Sequence, residues 1–129
     1  MSIRIVRLGT PRAKGEGVRF GTVRKPPRGV KKTDYAKLDY YDVWFPNIAP
    51  STELFRWVMA EPITPQRWKI FARRYRSEMA APQQRHDIEL LATLSHCADF
   101  SVGCYCEDEH RCHRSLLRQL LAGAGAKLS

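Results

Sequence analysis

Residues Phe100 to Leu121 read FSVGCYCEDEHRCHRSLLRQLL, and this stretch decides the fold. Its first seven residues, Phe100 to Cys106, are apolar or small and predict a buried strand. Five polar residues follow, Glu107 to Arg111. Cys112-His113-Arg114 then open a helical pattern with Leu116, Leu117, Leu120 and Leu121 on one stripe. A buried strand running into a helix is half of a β-α unit. In open α/β sheets, ligands sit at the carboxyl ends of such strands. Three of the four cysteines and two of the four histidines fall in this one window.

Outward from that junction the chain reads as further α/β elements. Ile3 to Leu8 alternates loosely, is rich in β-branched residues and predicts a first strand. Val18 to Arg24 alternates more clearly and predicts a second, with Val18, Phe20 and Thr22 on one face and Arg19 and Val23 on the other. Between them, Arg12 to Gly17 reads as a flexible basic loop without the spacing of a phosphate-binding P-loop. Lys25-Pro26-Pro27-Arg28-Gly29-Val30-Lys31-Lys32 is an ordered basic loop, because two prolines remove donors and fix φ. Tyr35 to Phe45 carries five aromatics, which fit either packing or base stacking.

Helices are predicted after Ser51 and Thr64, each a plausible N-cap, the second with Pro65 at the first helical position. A third runs from His86 to Ser95. Cys97 reads as a buried small hydrophobe, and Ala122 to Ser129 as a fraying tail. The expected fold is α/β: a single three-layer, Rossmann-like domain over residues 1–129, with a small, mostly parallel sheet flanked by helices.

The formal net charge is +9, and it is unevenly placed. Residues 1–37 hold eleven Lys/Arg against two Asp/Glu, while the rest of the chain holds eleven of each. Such a front favours an anionic partner, either a phosphate-bearing small molecule or nucleic acid. No run of residues has the length of a membrane span or the pattern of a signal peptide, so the expected location is the cytoplasm, with thiols reduced.

The junction itself admits three chemical readings. A helix start offers free N–H groups and a positive dipole end, which stabilise anions and thiolates. In an enzyme site, Cys112 would be the nucleophile or polar anchor, His113 the acid/base and Glu107 an orienting carboxylate. Arg24, Arg28 and Arg114 would bind the anion. Neighbouring helical positions point about 100° apart, so Cys112 and His113 are not expected to form a dyad by themselves. In a zinc site, Cys104, Cys106, Cys112 and His113, with His110 as a further candidate, would supply the ligands. In a structural reading the thiols are core, and Arg114 pairs with an acid such as Glu107.

Cys106-Glu107 followed by Cys112-His113-Arg114 resembles the C-x-E…CHR signature of the "domain of unknown function 488" family. Arg24 to Lys32, Ile48 to Trp57, Arg67-Trp68 to Phe71 and Arg74-Tyr75-Arg76 resemble that family's YeaO-like branch. In that branch an aspartate and a tryptophan stand where this chain has Val23 and Pro27, and the Cys-His-Arg corner is commonly missing. The resemblance implies a compact α/β fold with a site joining the Pro-Arg-Gly loop to the Cys-His-Arg corner, and it implies no reaction. Three functions are therefore weighed. The first is an enzyme or ligand-binding domain for a phosphate-bearing, nucleotide-like anion at the corner. The others are a non-catalytic nucleic-acid-binding module using the basic front and a small zinc-binding domain.

Overall fold

Four strands, all parallel, carry the fold: β1 (Ile3–Arg7), β2 (Val18–Gly21), β3 (Val43–Trp44) and β4 (Phe100–Cys104). Their order across the sheet is β1-β4-β2-β3, so the late, fully buried β4 sits inside. Ile3 lies opposite Phe100 and Ile5 opposite Val102 on one side of β4, while Phe20 lies opposite Val102 on the other. One sheet face is thereby apolar except at the end of β1, where Arg7 shares it. The computed structural model describes residues 1–129.

Four helices cover that face: α1 (Thr52–Met59), α2 (Pro65–Met79), α3 (Pro82–Leu94) and α4 (His113–Gly123). The connection from β3 to β4 and the one leaving β4 both step toward the β1 edge, and right-handed crossovers place both on the same side. A core of fifteen residues accordingly joins Ile3, Phe100 and Val102 to side chains from every helix. Connections from β1 to β2 and β2 to β3 step the other way and cross the opposite face without a long helix. The three expected layers are thus helices, sheet and a layer of irregular chain.

The helix starts follow local chemistry. Ser51 accepts from the Leu54 N–H at 3.1 Å, and Thr64 from the Arg67 N–H at 3.1 Å, with Pro65 at the first turn. α3 begins at Pro82, four residues ahead of the expected His86, again with proline at the first turn. The second strand stops at Gly21, and β4 stops two residues short of Cys106.

Three expectations are overturned. The basic loop before β2 is held rigidly. Arg19, fully buried, donates to Glu16 Oε2 and Oε1 at 2.7 and 2.9 Å and to the carbonyls of Thr10 and Asp39 at 2.8 and 2.7 Å. Glu16 also accepts from Ser101 Oγ and the Ala13 N–H, so the pair is saturated and its burial is tolerated. The tail does not fray: Ile3 N–H donates to the Lys127 carbonyl and Ser129 N–H to the Ile3 carbonyl, both at 2.9 Å, adding an edge beside β1. Cys97 is exposed, because it falls in the turn between α3 and β4 and not on the α3 stripe. No helix is long and apolar enough to cross a membrane.

Candidate functional site

The end of β4 and the start of α4 face each other across a short loop containing one 3₁₀ turn, Glu109–Arg111. Cys104 is the last residue of β4, and Cys112 is the N-cap of α4. The sulfurs of Cys104, Cys106 and Cys112 all lie within 4.8 Å of one another. Cys104 and Cys112 are buried and Cys106 is exposed. His110 is exposed and stands outside this cluster.

Cys112 has extended backbone, φ −125° and ψ 151°, so the helical-wheel argument that separated it from His113 does not apply. Its sulfur lies 3.7 Å from His113 Nδ1. The other ring nitrogen, Nε2, lies 2.9 Å from the Thr22 carbonyl. A carbonyl only accepts, so Nε2 carries the proton and Nδ1 turns its lone pair toward Cys112. Burial pushes the His113 pKa down to about 4, against the opposing pull of the Thr22 carbonyl, so the ring is neutral near pH 7.

The thiols polarise one another. Cys106 is lowered, chiefly by hydrogen bonds from Cys104 and then Cys112, with the Arg114 charge helping. Cys104 is raised by the neighbouring sulfurs of Cys106 and then Cys112, which favour its keeping its proton, and by burial. Cys112 accepts from Cys104, which lowers it, but donation to Cys106 and burial outweigh this and leave it raised.

Arg114 is 4% exposed and donates to the Cys106 carbonyl at 2.6 Å, closing the loop from below. Its Nε is buried without a hydrogen-bond partner, and Arg114 forms no ion pair. The pairing of Arg114 with Glu107 is not made. Glu107 is largely exposed and pairs with Arg7 at 3.5 Å.

A cavity of about 1110 Å³ opens over this corner. Cys104, Cys106 and His113 form part of its wall; Cys112, Glu107 and Arg114 do not line it. Five cationic side chains do: Arg7, Arg24, Lys25, Arg28 and Arg56, with no carboxylate among the 22 lining residues. Arg24 is anchored by donating to the Pro50 and Ala49 carbonyls at 3.1 and 3.0 Å, which leaves Nη1 free. Arg28 is exposed and, like Lys25 and Arg56, carries no ion pair. Phe55 and Met59, 47% and 61% exposed, add apolar surface. The sequence singles out neither Arg56 nor Met59, and it places Phe55 with Leu54, Trp57 and Val58 on the apolar face of its helix, whereas the structure exposes it. The signal for Phe55 and Met59 was an apolar i, i+4 pair off the buried Leu54–Val58 stripe of α1.

A family model described as "Active DUF488-N3 subclade" matches residues 3–125. The chain belongs to the DUF488 family. Within reach of this family is "Uncharacterized protein YeaO" of Escherichia coli (strain K12), 34% identical over 84 residues, which are 65% of this chain and 67% of that protein. No solved structure matches. The fold brings together the two segments on which the resemblance rested. The Pro-Arg-Gly loop supplies Pro27 and Arg28, and the Cys-His-Arg corner supplies His113, to one cavity. Three clustered cysteines in this DUF488 chain have the geometry to hold a metal ion.

Proposed function

We propose that this chain is an enzyme or ligand-binding domain for a phosphate-bearing, nucleotide-like anion held in the cavity above the Cys-His-Arg corner. One observation carries the reading: a large cavity at the carboxyl ends of parallel strands, lined by five cations and no carboxylate. Concentrated positive potential in a concave, low-dielectric site attracts anions far more strongly than the same charges on a flat surface. Arg28, Lys25 and Arg56 are the free donors. Arg24 is a preorganised donor fixed by two carbonyls, and Glu107 acts through Arg7 as a positioning residue. Arg114 works behind the wall, fixing the Cys106 backbone. His113 and Cys106 present a thiol–imidazole wall to the bound anion, with the Cys112 sulfur 3.7 Å from the His113 Nδ1.

The nucleic-acid reading loses part of its basis, because Arg12 and Arg19 spend their charge internally. Arg12 forms a two-pronged bond to Asp42 at 2.7 and 3.0 Å. Calorimetric titration with inorganic pyrophosphate and with ADP separates the readings. Arg28→Ala and Arg56→Ala are each expected to weaken binding about tenfold, the scale of a lost charge-assisted hydrogen bond, while Lys14→Ala leaves it unchanged. Binding of a short DNA duplex that weakens equally in all three variants and falls steeply with salt, with no binding of either small anion, would overturn the proposal.

A further inference from the structure

We propose that Cys104, Cys106, Cys112 and His113 form a zinc centre, with three thiolates and the Nδ1 of His113 as its four ligands. The inference rests on the thiol–imidazole wall alone and not on the cationic side of the cavity, so either reading stands if the other fails.

Geometry comes first. Zinc–sulfur bonds of about 2.3 Å and zinc–nitrogen bonds of about 2.0 Å at tetrahedral angles put sulfurs about 3.8 Å apart and sulfur and nitrogen about 3.5 Å apart. The Cys112 sulfur to His113 Nδ1 separation is 3.7 Å, and the three sulfurs lie within 4.8 Å of one another. The three sulfurs therefore need only a small inward movement, which the exposed Cys106 is free to make, while His113, outside that mutual 4.8 Å group but 3.7 Å from Cys112, turns its ring further inward to join them.

The outer shell fits as well. A metal-bound histidine donates its second ring N–H to a carbonyl or carboxylate, which fixes the tautomer. Here the Thr22 carbonyl at 2.9 Å does this and leaves Nδ1 as the ligating atom. The Tyr75 ring, 5.7 Å away by centroids, holds the imidazole in place.

Charge is the third argument. Arg114 is a buried guanidinium with no carboxylate partner and an orphaned Nε, an arrangement that costs several kcal/mol unless an anion stands nearby. A divalent cation bound by three thiolates and a neutral imidazole carries one net negative charge. That centre, beside the loop whose Cys106 carbonyl Arg114 grips, neutralises it. Soft thiolates with one imidazole in a closed tetrahedron select zinc over hard cations. On binding, the three thiols release their protons to solvent and the metal replaces them.

Cys97, exposed and outside the cluster, is an internal control for the test. Protein carrying no histidine tag is expected to contain one zinc per chain by elemental analysis. Brief native alkylation should then modify Cys97 alone, and Cys106 should join it after chelation. Reconstitution with cobalt should produce sulfur-to-cobalt charge-transfer bands and intense tetrahedral d–d bands. His113→Cys should strengthen the charge-transfer bands by adding a thiolate, and Cys112→Ser should weaken them. Should a variant fail to fold, wild-type alkylation with and without added zinc decides alone. Cys106 alkylated as fast as Cys97 whether or not zinc is present, with no stoichiometric metal after reconstitution, would overturn the proposal. A cobalt spectrum unchanged by His113→Cys would remove His113 from the ligand set.

Discussion

The guanidinium of Arg19 and the carboxylate of Glu16 face each other through two hydrogen bonds, at 2.7 and 2.9 Å, in the interior of the layer that covers the non-helical sheet face. This pair holds the loop after β1 against β4, where Ser101 donates to Glu16 as well. The start of that loop, where Arg19 also grips the Thr10 carbonyl, carries Leu8, Gly9 and Thr10 into the cavity wall, so a structural ion pair shapes the candidate site.

Acid stability should report this pair. Burial raises the Glu16 pKa, but bonds from Arg19, Ser101 and Ala13 win and bring it from 4.5 to about 2. Because the folded value is the lower one, the stabilisation is present in full above pH 4.5 and is lost as pH falls toward 2. The loss is on the order of 3 kcal/mol, and Asp42, also lowered, adds to it in the same direction. Urea unfolding between pH 6 and the acid limit (about pH 2) should show a falling midpoint. Glu16→Gln should be less stable near neutrality by about 3 kcal/mol and flatter across this window.

Gly17 is expected to tolerate no side chain. Its φ is +79°, and a Cβ there would stand 1.9 Å from the Asp99 carbonyl oxygen, a backbone atom that cannot step aside. Gly17→Ala should lower stability by about 3 kcal/mol or more, measured by chemical denaturation. Gly15, with φ +76° but nothing near its Cβ position, should cost about 1 kcal/mol in the same change.

Removing residues 127–129 should destabilise the sheet at its β1 edge. The deletion loses the two backbone bonds to Ile3 and the bond from the Lys127 N–H to Ser95 Oγ at 2.8 Å. At about 1 kcal/mol each, the expected loss is about 3 kcal/mol. Hydrogen exchange should show it at Ile3 first.

The apolar wall predicts selectivity within the anion class. Phe55→Ala should weaken ADP binding several-fold, since a nucleoside covers apolar surface in the cavity, while leaving inorganic pyrophosphate unaffected. Calorimetry with both probes tests it. Equal weakening of the two would place Phe55 in the scaffold instead.

Much of this arrangement is legible in the residues themselves. The switch from an apolar run to a leucine stripe between Cys106 and Leu116 locates the β4–α4 junction, because strand and helix periods differ. Ser51 and Thr64 announce their helices because capping is a local hydrogen bond. What escaped is long-range or concealed by an average. Arg19 alternates like a surface residue, and only its buried partner three positions earlier shows otherwise. The glycine-alanine tail has no pattern, and its pairing with Ile3 joins opposite ends of the chain. The Cys112–His113 contact was hidden because Cys112 caps the helix and does not lie in it.

The most direct test of the central claim is a titration of isotopically labelled protein with ADP, followed by amide chemical shifts. Saturable shifts confined to the cavity wall, at Gly9, Arg24, Lys25, Arg28, Tyr105 and Cys106, are expected. Shifts absent at saturating ligand, or spread over exposed Lys14, Lys31 and Lys37 without saturation, would contradict a specific anion site at the Cys-His-Arg corner.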